Sequence, residues 1–353
     1  MEKKETIALT GGGTGGHIFP LASVYNYFQE EKEYNFIWVG EEGSLEEDIA
    51  GEHNIPFYDV PAGKIRRYFD WKNFYEPLKN LTGICFGIYY ILRYKVDIVF
   101  SKGGYVSLPL CVAAFLLGKK IYIHESDTKG GMANRLIGKI ASKVFYSFEN
   151  KKTLLQENQN SAKHICVGQI LNPELLDYLT TLDVKENEKL ELLLIAGSQG
   201  STILFKNFIK LLPDLLDLNI TVVLGDKNLH FKSDFDQYKN VTVYDFVDQK
   251  MLGKIYKKTD IAITRAGSTT LWELNRFGVH SIIVPLQKSA ANHQQKNAEY
   301  FEQYFGSNIL DEDVNLSLEM FRLLQKFKDL RKQGLNLNSF FEPLHRIAKE
   351  IKK

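Results

Sequence analysis

Twice along the chain a short apolar run breaks into glycines and then turns helical. Near the start it reads "ALTGGGTGGHIFPLASV" (Ala8–Val24), with five glycines and a threonine filling Gly11–Gly16. In the second half it reads "ELLLIAGSQGSTILFKNFIKLL" (Glu191–Leu212). A strand, a tight turn and a helix in that order pack well in a parallel sheet with helices on both faces. One such start in each half of 353 residues predicts two domains.

The intervening pattern agrees. Runs rich in β-branched and aromatic residues predict strands at Thr6–Thr10, Asn35–Val39, Asp97–Ser101, Ile121–His124 and Val144–Ser147. After the restart, strands are expected at Thr221–Leu224, Val241–Tyr244, Ile261–Arg265 and Ser281–Val284. Helical spacing lies between them, as at Ile18–Phe28 and Leu45–Ala50. The fold class expected is α/β, with two doubly wound Rossmann-like domains facing across a cleft. Residues 1–167 form the first and 168–335 the second. A basic helix within 336–353 is expected to pack back on the first domain or on the second. Ligands of such sheets bind beyond the carboxyl ends of the strands. The loops of interest are therefore Gly11–His17, Gly103–Ser107, His124–Gly131, Gly197–Ser201, Arg265–Glu273 and Leu286–Gln295.

Composition removes several function classes. The chain is 44% hydrophobic and 25% charged with a net charge of +1, so no general field for nucleic acid exists. Three scattered cysteines, Cys85, Cys111 and Cys166, form no CxxC pair and read as reduced, buried thiols of a cytoplasmic protein. No signal peptide is expected. The uncharged runs Leu81–Leu92 and Tyr105–Gly118 fall short of the roughly 20 residues that span a bilayer.

The first turn alone fits a dinucleotide fingerprint, with Glu41 or Glu42 as the ribose acid, or a tight turn with no ligand. The second half is more specific. In "TRAGSTTLWELNRFG" (Thr264–Gly278), Gly267, Ser268, Thr269 and Thr270 open a helix after a strand, which makes an anion site. Glu273 reads either as the closing member of a capping box with Thr270 or as a bidentate acceptor for ribose hydroxyls. "PLQKSAANHQQKNAEYF" (Pro285–Phe301) offers amides suited to sugar hydroxyls.

Together "GGGTGGHIFP", "GKIRRY", "FSKGGYVSLP", "IHESD…GGMANRL", "AGSQGS", "RAGSTTLWE" and "NHQQKNA" resemble the MurG family, GT-B-fold UDP-N-acetylglucosamine transferases of peptidoglycan synthesis. The resemblance spans about Ile7 to Phe305. It implies inverting transfer of N-acetylglucosamine (GlcNAc) from UDP-GlcNAc to the C4 hydroxyl of the muramic acid of lipid I, giving lipid II. Cell-wall biogenesis, and with it cell shape and division, would depend on that step. By the same resemblance Thr14, Gly15 and Gly16 line the donor and acceptor diphosphate region. Ser198, Val247 (through its backbone), Ser268, Thr269, Thr270, Leu271 and Trp272 surround UDP. Glu273 holds the ribose, and Gln294 with Gln295 the GlcNAc hydroxyls. Two departures stand out: Asp127 where the family often has Asn, and Asn172 where it often has a phosphate-binding Arg.

Single displacement needs a base and a stabilised leaving group. His17 is the candidate base, with Glu125 and His124 as rivals and Asp127 near donor or acceptor. The alternative for His17 is a structural histidine capping the loop. The helix start at Gly267–Thr270 can carry the leaving diphosphate, so no metal or other cofactor is obligatory. Two DxD matches, Asp234–Asp236 and Asp311–Asp313, read as solvated loops.

Gly63–Lys95 carries seven Lys/Arg against Asp70 and Glu76. Arg66, Arg67, Tyr68, Phe69, Trp71 and Phe74 make its basic, aromatic lead-in the expected contact with an anionic membrane surface. That places the protein peripherally on the cytoplasmic face of the membrane. Leu81–Leu92 reads as an ordinary buried helix. The competing functions are a UDP-sugar transferase for another lipid, a UDP-GlcNAc epimerase, and a silent sugar-nucleotide binder.

Overall fold

The computed structural model describes residues 4–12, 15–30, 34–64, 76–149, 162–179, 189–197, 200–287, 292–313, 315–328 and 343–352. The chain divides into two compact units, Met1–Ile170 with Phe341–Lys353, and Leu171–Phe340. The unit changes just beyond the 167/168 boundary read from the sequence.

The first unit holds β1 (Glu5–Gly11), α1 (Gly15–Glu30), β2 (Tyr34–Gly40), α2 (Leu45–Glu52), β3 (Phe57–Asp59), α3 (Glu76–Arg93), β4 (Ile98–Gly103), α4 (Ser107–Leu116), β5 (Lys120–Glu125), α5 (Met132–Ile140), β6 (Lys143–Tyr146) and β7 (His164–Cys166). Its strands run parallel in the order β3-β2-β1-β4-β5-β6-β7.

The second unit holds α6 (Pro173–Leu176), β8 (Glu191–Ile195), α7 (Thr202–Ile209), β9 (Asn219–Val223), α8 (Lys232–Phe235), β10 (Val241–Tyr244), α9 (Gln249–Lys258), β11 (Ile261–Thr264), α10 (Ser268–Arg276), β12 (His280–Ile283), α11 (His293–Phe305), β13 (Asn308–Ile309) and α12 (Leu316–Lys326). Its parallel order is β10-β9-β8-β11-β12-β13. The last helix, α13 (Pro343–Ile351), belongs to the first unit. Ile347, Ala348 and Ile351 complete the core around α1, Lys143 pairs with Glu350 at 2.9 Å, and Arg346 donates to the Cys166 carbonyl.

Strand side chains alternate between faces, and the cores sort accordingly. Ile7, Leu9, Ile98 and Phe100 enter one core of the first sheet, while Ala8, Val99, Ile121 and Ile123 enter the other. In the second sheet Leu192, Leu194, Ile261 and Ile263 face one core, and Leu193, Ile195 and Ala262 the other. Both faces are apolar because both are covered, which is why these strands read as continuous hydrophobic runs.

The strand order also locates the crevices. In each sheet the winding reverses beside the first strand, between β1 and β4 and between β8 and β11. Connections on either side of that point leave to opposite faces and open a gap at the carboxyl ends. The two glycine-bearing turns, after β1 and after β8, stand at these reversals.

Several expectations change. β3, β7 and β13 were not read from the sequence, being two or three residues long and too short to show a period. Cys111 is buried, but Cys85 is exposed and Cys166 half-buried. Cys85 follows its helix: α3 buries Glu76, Gly83, Gly87 and Ile91 and turns Leu78, Leu81, Phe86, Tyr89 and Leu92 outward. Leu81–Leu92 is therefore not an ordinary buried helix. Gly83 and Gly87 form its inner face because α4 is close: a Cβ on either would lie 2.9 Å from Pro109 Cβ or Ala113 Cβ.

Candidate functional site

At the first reversal the turns after β1 and β4 are tied together. The Gly12 amide donates to the Gly103 carbonyl at 3.2 Å. Gly104 has φ +86°, and a Cβ there would stand 2.5 Å from the Gly12 carbonyl oxygen. A side chain at 104 would thus meet both backbone strain and a collision. The second turn is braced further by Ser101 Oγ on the Gly103 amide (2.9 Å) and Asn134 Oδ1 on the Gly104 amide (3.1 Å).

Gly15 and Gly16 open α1, and half-buried His17 follows in its first turn. His17 Nδ1 lies 3.1 Å from the Gly12 carbonyl. A carbonyl only accepts, so Nδ1 carries the proton and Nε2 is the acceptor of the neutral ring. Burial lowers the His17 pKa, Lys102 lowers it further, and Asp127 and the Gly12 carbonyl oppose them. The loop-capping and base readings of His17 are therefore compatible: one nitrogen caps, the other accepts.

His124 and Glu125 end β5. His124 is fully buried and both nitrogens are engaged, Nε2 with the Gly168 carbonyl (2.9 Å) and Nδ1 with Lys102 Nζ (2.7 Å). It is a structural histidine. Glu125 accepts from Asn134 Nδ2 at Oε2 (2.7 Å) and from the Asp127 amide at Oε1 (2.9 Å). Burial first, then the Asp127 charge, pushes its pKa up to about 7. With both oxygens engaged, Glu125 is placed to orient Asn134 and the Asp127 loop. Asp127 itself is half-buried. Sequence reasoning passed over Lys102, a 1% exposed lysine within "FSKGGYVSLP", and Glu46, whose buried carboxyl lies against Gly12. Nothing in a one-dimensional pattern marks either as buried.

At the second reversal β11 ends in Thr264, and Gly267 caps α10 in extended conformation. The helix starts at Ser268, so Glu273 sits in its second turn and forms no capping box with Thr270. The first-turn amides of Ser268, Thr269 and Thr270 point out of the positive end of the helix dipole. Leu271 and Trp272 face inward: Leu271 is fully buried, and Trp272 packs edge-on against Phe301 at 5.2 Å. Any contact they make to a ligand runs through their backbone. Glu273 is buried beneath, accepts from Tyr256 Oη at 3.1 Å, and is raised to about 7 by burial.

The neighbouring loops are pinned to this turn. Arg265 Nε donates to Ser201 Oγ at 3.1 Å and Nη1 to the Val284 carbonyl at 3.0 Å, and its Nη2 also pairs with Glu312. Buried Asn297 of α11 donates to the Ala266 carbonyl at 3.1 Å. Gln294 Oε1 accepts from the Leu286 amide at 2.9 Å, whereas Gln295 bonds Glu299 along its own helix. Val247 lies half-buried in the loop after β10, just before the α9 cap Asp248. Asn172, which the sequence placed at the family's Arg position, caps α6 by accepting from the Glu174 amide at 2.9 Å. The DxD matches are not plain solvated loops: Asp234 lies in α8 around buried Phe235, and Glu312 is held by Arg265. Among the described residues no cluster of three or more His, Cys, Asp or Glu could hold a metal. Thr14, Ser198, Arg66, Arg67, Tyr68, Phe69, Trp71 and Phe74 lie outside the described residues.

Two parallel sheets, each with a glycine turn and a helix start at its reversal, define a pair of doubly wound, Rossmann-like α/β units. The glycosyltransferase family 28 N-terminal domain matches residues 7–146 and the C-terminal domain residues 192–347. The chain belongs to glycosyltransferase family 28. A Clostridium kluyveri relative is 34% identical over 92% of this chain and 90% of its own, and a Geobacillus thermodenitrificans relative 31% identical over 98% of each. Both are named UDP-N-acetylglucosamine–N-acetylmuramyl-(pentapeptide) pyrophosphoryl-undecaprenol N-acetylglucosamine transferase. The crystal structure of Acinetobacter baumannii MurG shares the fold, with a TM-score of 0.76, 23% identity and 99% of each chain covered. A Neisseria meningitidis UDP-GlcNAc 2-epimerase structure bound to UDP-GlcNAc also shares it, with a TM-score of 0.70, 13% identity and 99% of each chain covered.

Proposed function

We propose that this protein transfers N-acetylglucosamine, with inversion, from UDP-GlcNAc to the C4 hydroxyl of the muramic acid of lipid I. The observation that carries the reading is His17: a neutral imidazole fixed through Nδ1, with Nε2 left to accept a proton, in the glycine turn of a family 28 chain. The full-length likeness to relatives named for this reaction supports the choice of donor and acceptor.

The work divides between the units. In the first, the acceptor oxygen attacks the anomeric carbon of GlcNAc while Nε2 of His17 takes its proton. Asp127, held by its amide on Glu125, is a polar contact for donor or acceptor. Thr14, Gly15 and Gly16 receive diphosphate at the start of α1. In the second unit the bond from the anomeric carbon to UDP breaks, and charge grows on the leaving diphosphate. The dipole and first-turn groups of α10 at Ser268, Thr269 and Thr270 stabilise that charge, so the step needs no metal. Glu273 accepts from the ribose, Ser198 and the Val247 backbone border the nucleotide, and Gln294 and Gln295 serve the sugar.

A polyprenyl acceptor stays in its bilayer, so the enzyme must come to it. No described helix is long and apolar enough to cross a membrane. The outward stripe of α3 (Leu78, Leu81, Phe86, Tyr89, Leu92) lies within the stretch that carries a net +5 charge. Together they suit an anionic membrane surface, and the stripe adds to the basic, aromatic lead-in before it. The protein then works peripherally, on the cytoplasmic face.

The test is a transfer assay with radiolabelled UDP-GlcNAc and a short-chain lipid I analogue. Label in a β-1,4-linked disaccharide lipid is expected. Bound donor with no transfer to this acceptor would overturn the acceptor assignment.

A further inference from the structure

Against the glycine turn that leads to His17 packs a fully buried lysine, Lys102: a Cβ on Gly11 would lie 2.9 Å from its Cβ. Lys102, the penultimate residue of β4, reaches His124 Nδ1 at 2.7 Å and also hydrogen-bonds the Ser126 hydroxyl. His124 donates through Nε2 to Gly168, so its Nδ1 can only accept from the lysine. The ammonium is thus held at two points, on the residues either side of Glu125 and just before Asp127. A methionine would fill the same space without desolvating a charge, a cost of several kcal/mol per ion unless partners repay it. The hydrogen-bond partners here are neutral, His124 and Ser126, and the opposing charge comes from nearby carboxyl groups that do not touch the ammonium.

We propose that Lys102 is a positioning residue, a buried charge set against Asp127 that keeps His17 in its proton-accepting form. This rests on the reading of His17 as base. A carboxylate near an imidazole favours the imidazolium, which cannot take a proton; a cation on the other side cancels that pull. The charged groups facing His17 are Lys102 from β4 and Asp127 from the loop after β5, while Glu125 faces Lys102 and Glu46 of α2 lies against Gly12. Burial brings the Lys102 pKa down to about 7 and the two carboxylates hold it up, so the lysine is charged in the acidic range where His17 would take a proton.

The test compares wild type, Lys102→Met, Asp127→Asn and the double variant. His17 is titrated by NMR of 15N-histidine-labelled protein, assigned with His17→Gln, and kcat/KM is followed against pH. In Lys102→Met the titration and the acidic limb of the rate should both move up by about one pH unit, lowering the rate about tenfold at the foot of the limb. Asp127→Asn should move the titration down, and in the double variant the His17 titration should return close to its wild-type position. A role confined to packing would lower the rate at all pH values and leave the His17 titration where it is in wild type. An unmoved His17 titration in folded Lys102→Met overturns the proposal. If Lys102→Met does not fold, an unmoved titration in Asp127→Asn does the same. Should the titration shift while the rate profile does not, the charge balance stands and His17 loses its place as base.

Discussion

The hydroxyl of Tyr256 donates to Glu273 Oε2 at 3.1 Å, joining α9 to α10 beneath the helix start that faces the switch point of the second sheet. Burial holds the Glu273 carboxyl up at about 7, and this hydrogen bond is what pulls it down. A ribose hydroxyl donates best to the ionised form. UDP-GlcNAc affinity should therefore strengthen as pH rises through about 7. Glu273→Gln should lose that pH dependence and weaken binding by roughly 10–100-fold, the span of a hydrogen bond to a charged group. Tyr256→Phe should move the dependence to higher pH. Calorimetric titration with UDP-GlcNAc from pH 6 to 8 checks all three. Wild-type affinity and pH dependence in Glu273→Gln would remove Glu273 from the nucleotide site.

His17→Ala should bind UDP almost as wild type, because the groups proposed to hold the nucleotide belong to the second unit, apart from Thr14, Gly15 and Gly16, which the substitution leaves in place. Turnover should fall by about 10²–10⁴-fold, the usual span for a general base. Steady-state rates with saturating donor and acceptor measure it; turnover within a fewfold of wild type would end the assignment.

Glu46 should make the first unit less stable as pH rises. Burial lifts its carboxyl from 4.5 to about 8. Between those values the unfolded chain has released the proton and the folded chain still holds it. Stability is therefore lost with rising pH, by up to about 1.4 kcal/mol per unit. Glu46→Gln mimics the protonated acid, so its melting temperature should match wild type near pH 4.5 and exceed it increasingly toward pH 8. At about 2–4 °C per kcal/mol the gap should reach roughly 10–20 °C by pH 8. A pH-independent difference would show that the carboxyl is ionised in the folded protein.

Replacing Leu81, Tyr89 and Leu92 by serine should leave the fold intact, since all three side chains are already exposed. Cosedimentation with vesicles containing anionic phospholipid should drop at least tenfold, as each apolar side chain moved into lipid contributes about 1.5–3 kcal/mol. Arg66→Gln with Arg67→Gln should weaken the same binding chiefly at low salt. Full retention by the serine variant would move the membrane contact off α3.

Much of the fold was legible because its signals are local. The glycine turns after β1 and β8, the apolar runs of the central strands and the helix start at Gly267–Thr270 are all short-range patterns. Residues that act through position were harder to read. Thr270 and Glu273 have capping-box spacing, yet α10 starts at Ser268 and sends Glu273 inward to Tyr256. The α3 pattern read as a core helix, because hydrophobicity along a helix does not say which face meets protein. Gly83 and Gly87, with α4 against them, decide that face.

The sequence by itself determined the alternation of strands and helices, the two starts, the family, and the residue types at each turn, because each follows from neighbours within a few positions. Tertiary structure alone decided how charge is balanced. Lys102, His124, Glu125, Ser126 and Asp127 come from two strand ends adjacent only through sheet pairing, and Arg265 meets Ser201 and Glu312 from distant parts of the chain. Burial, and with it the protonation of His17, Glu46 and Glu273, is set by what the rest of the chain packs around each group.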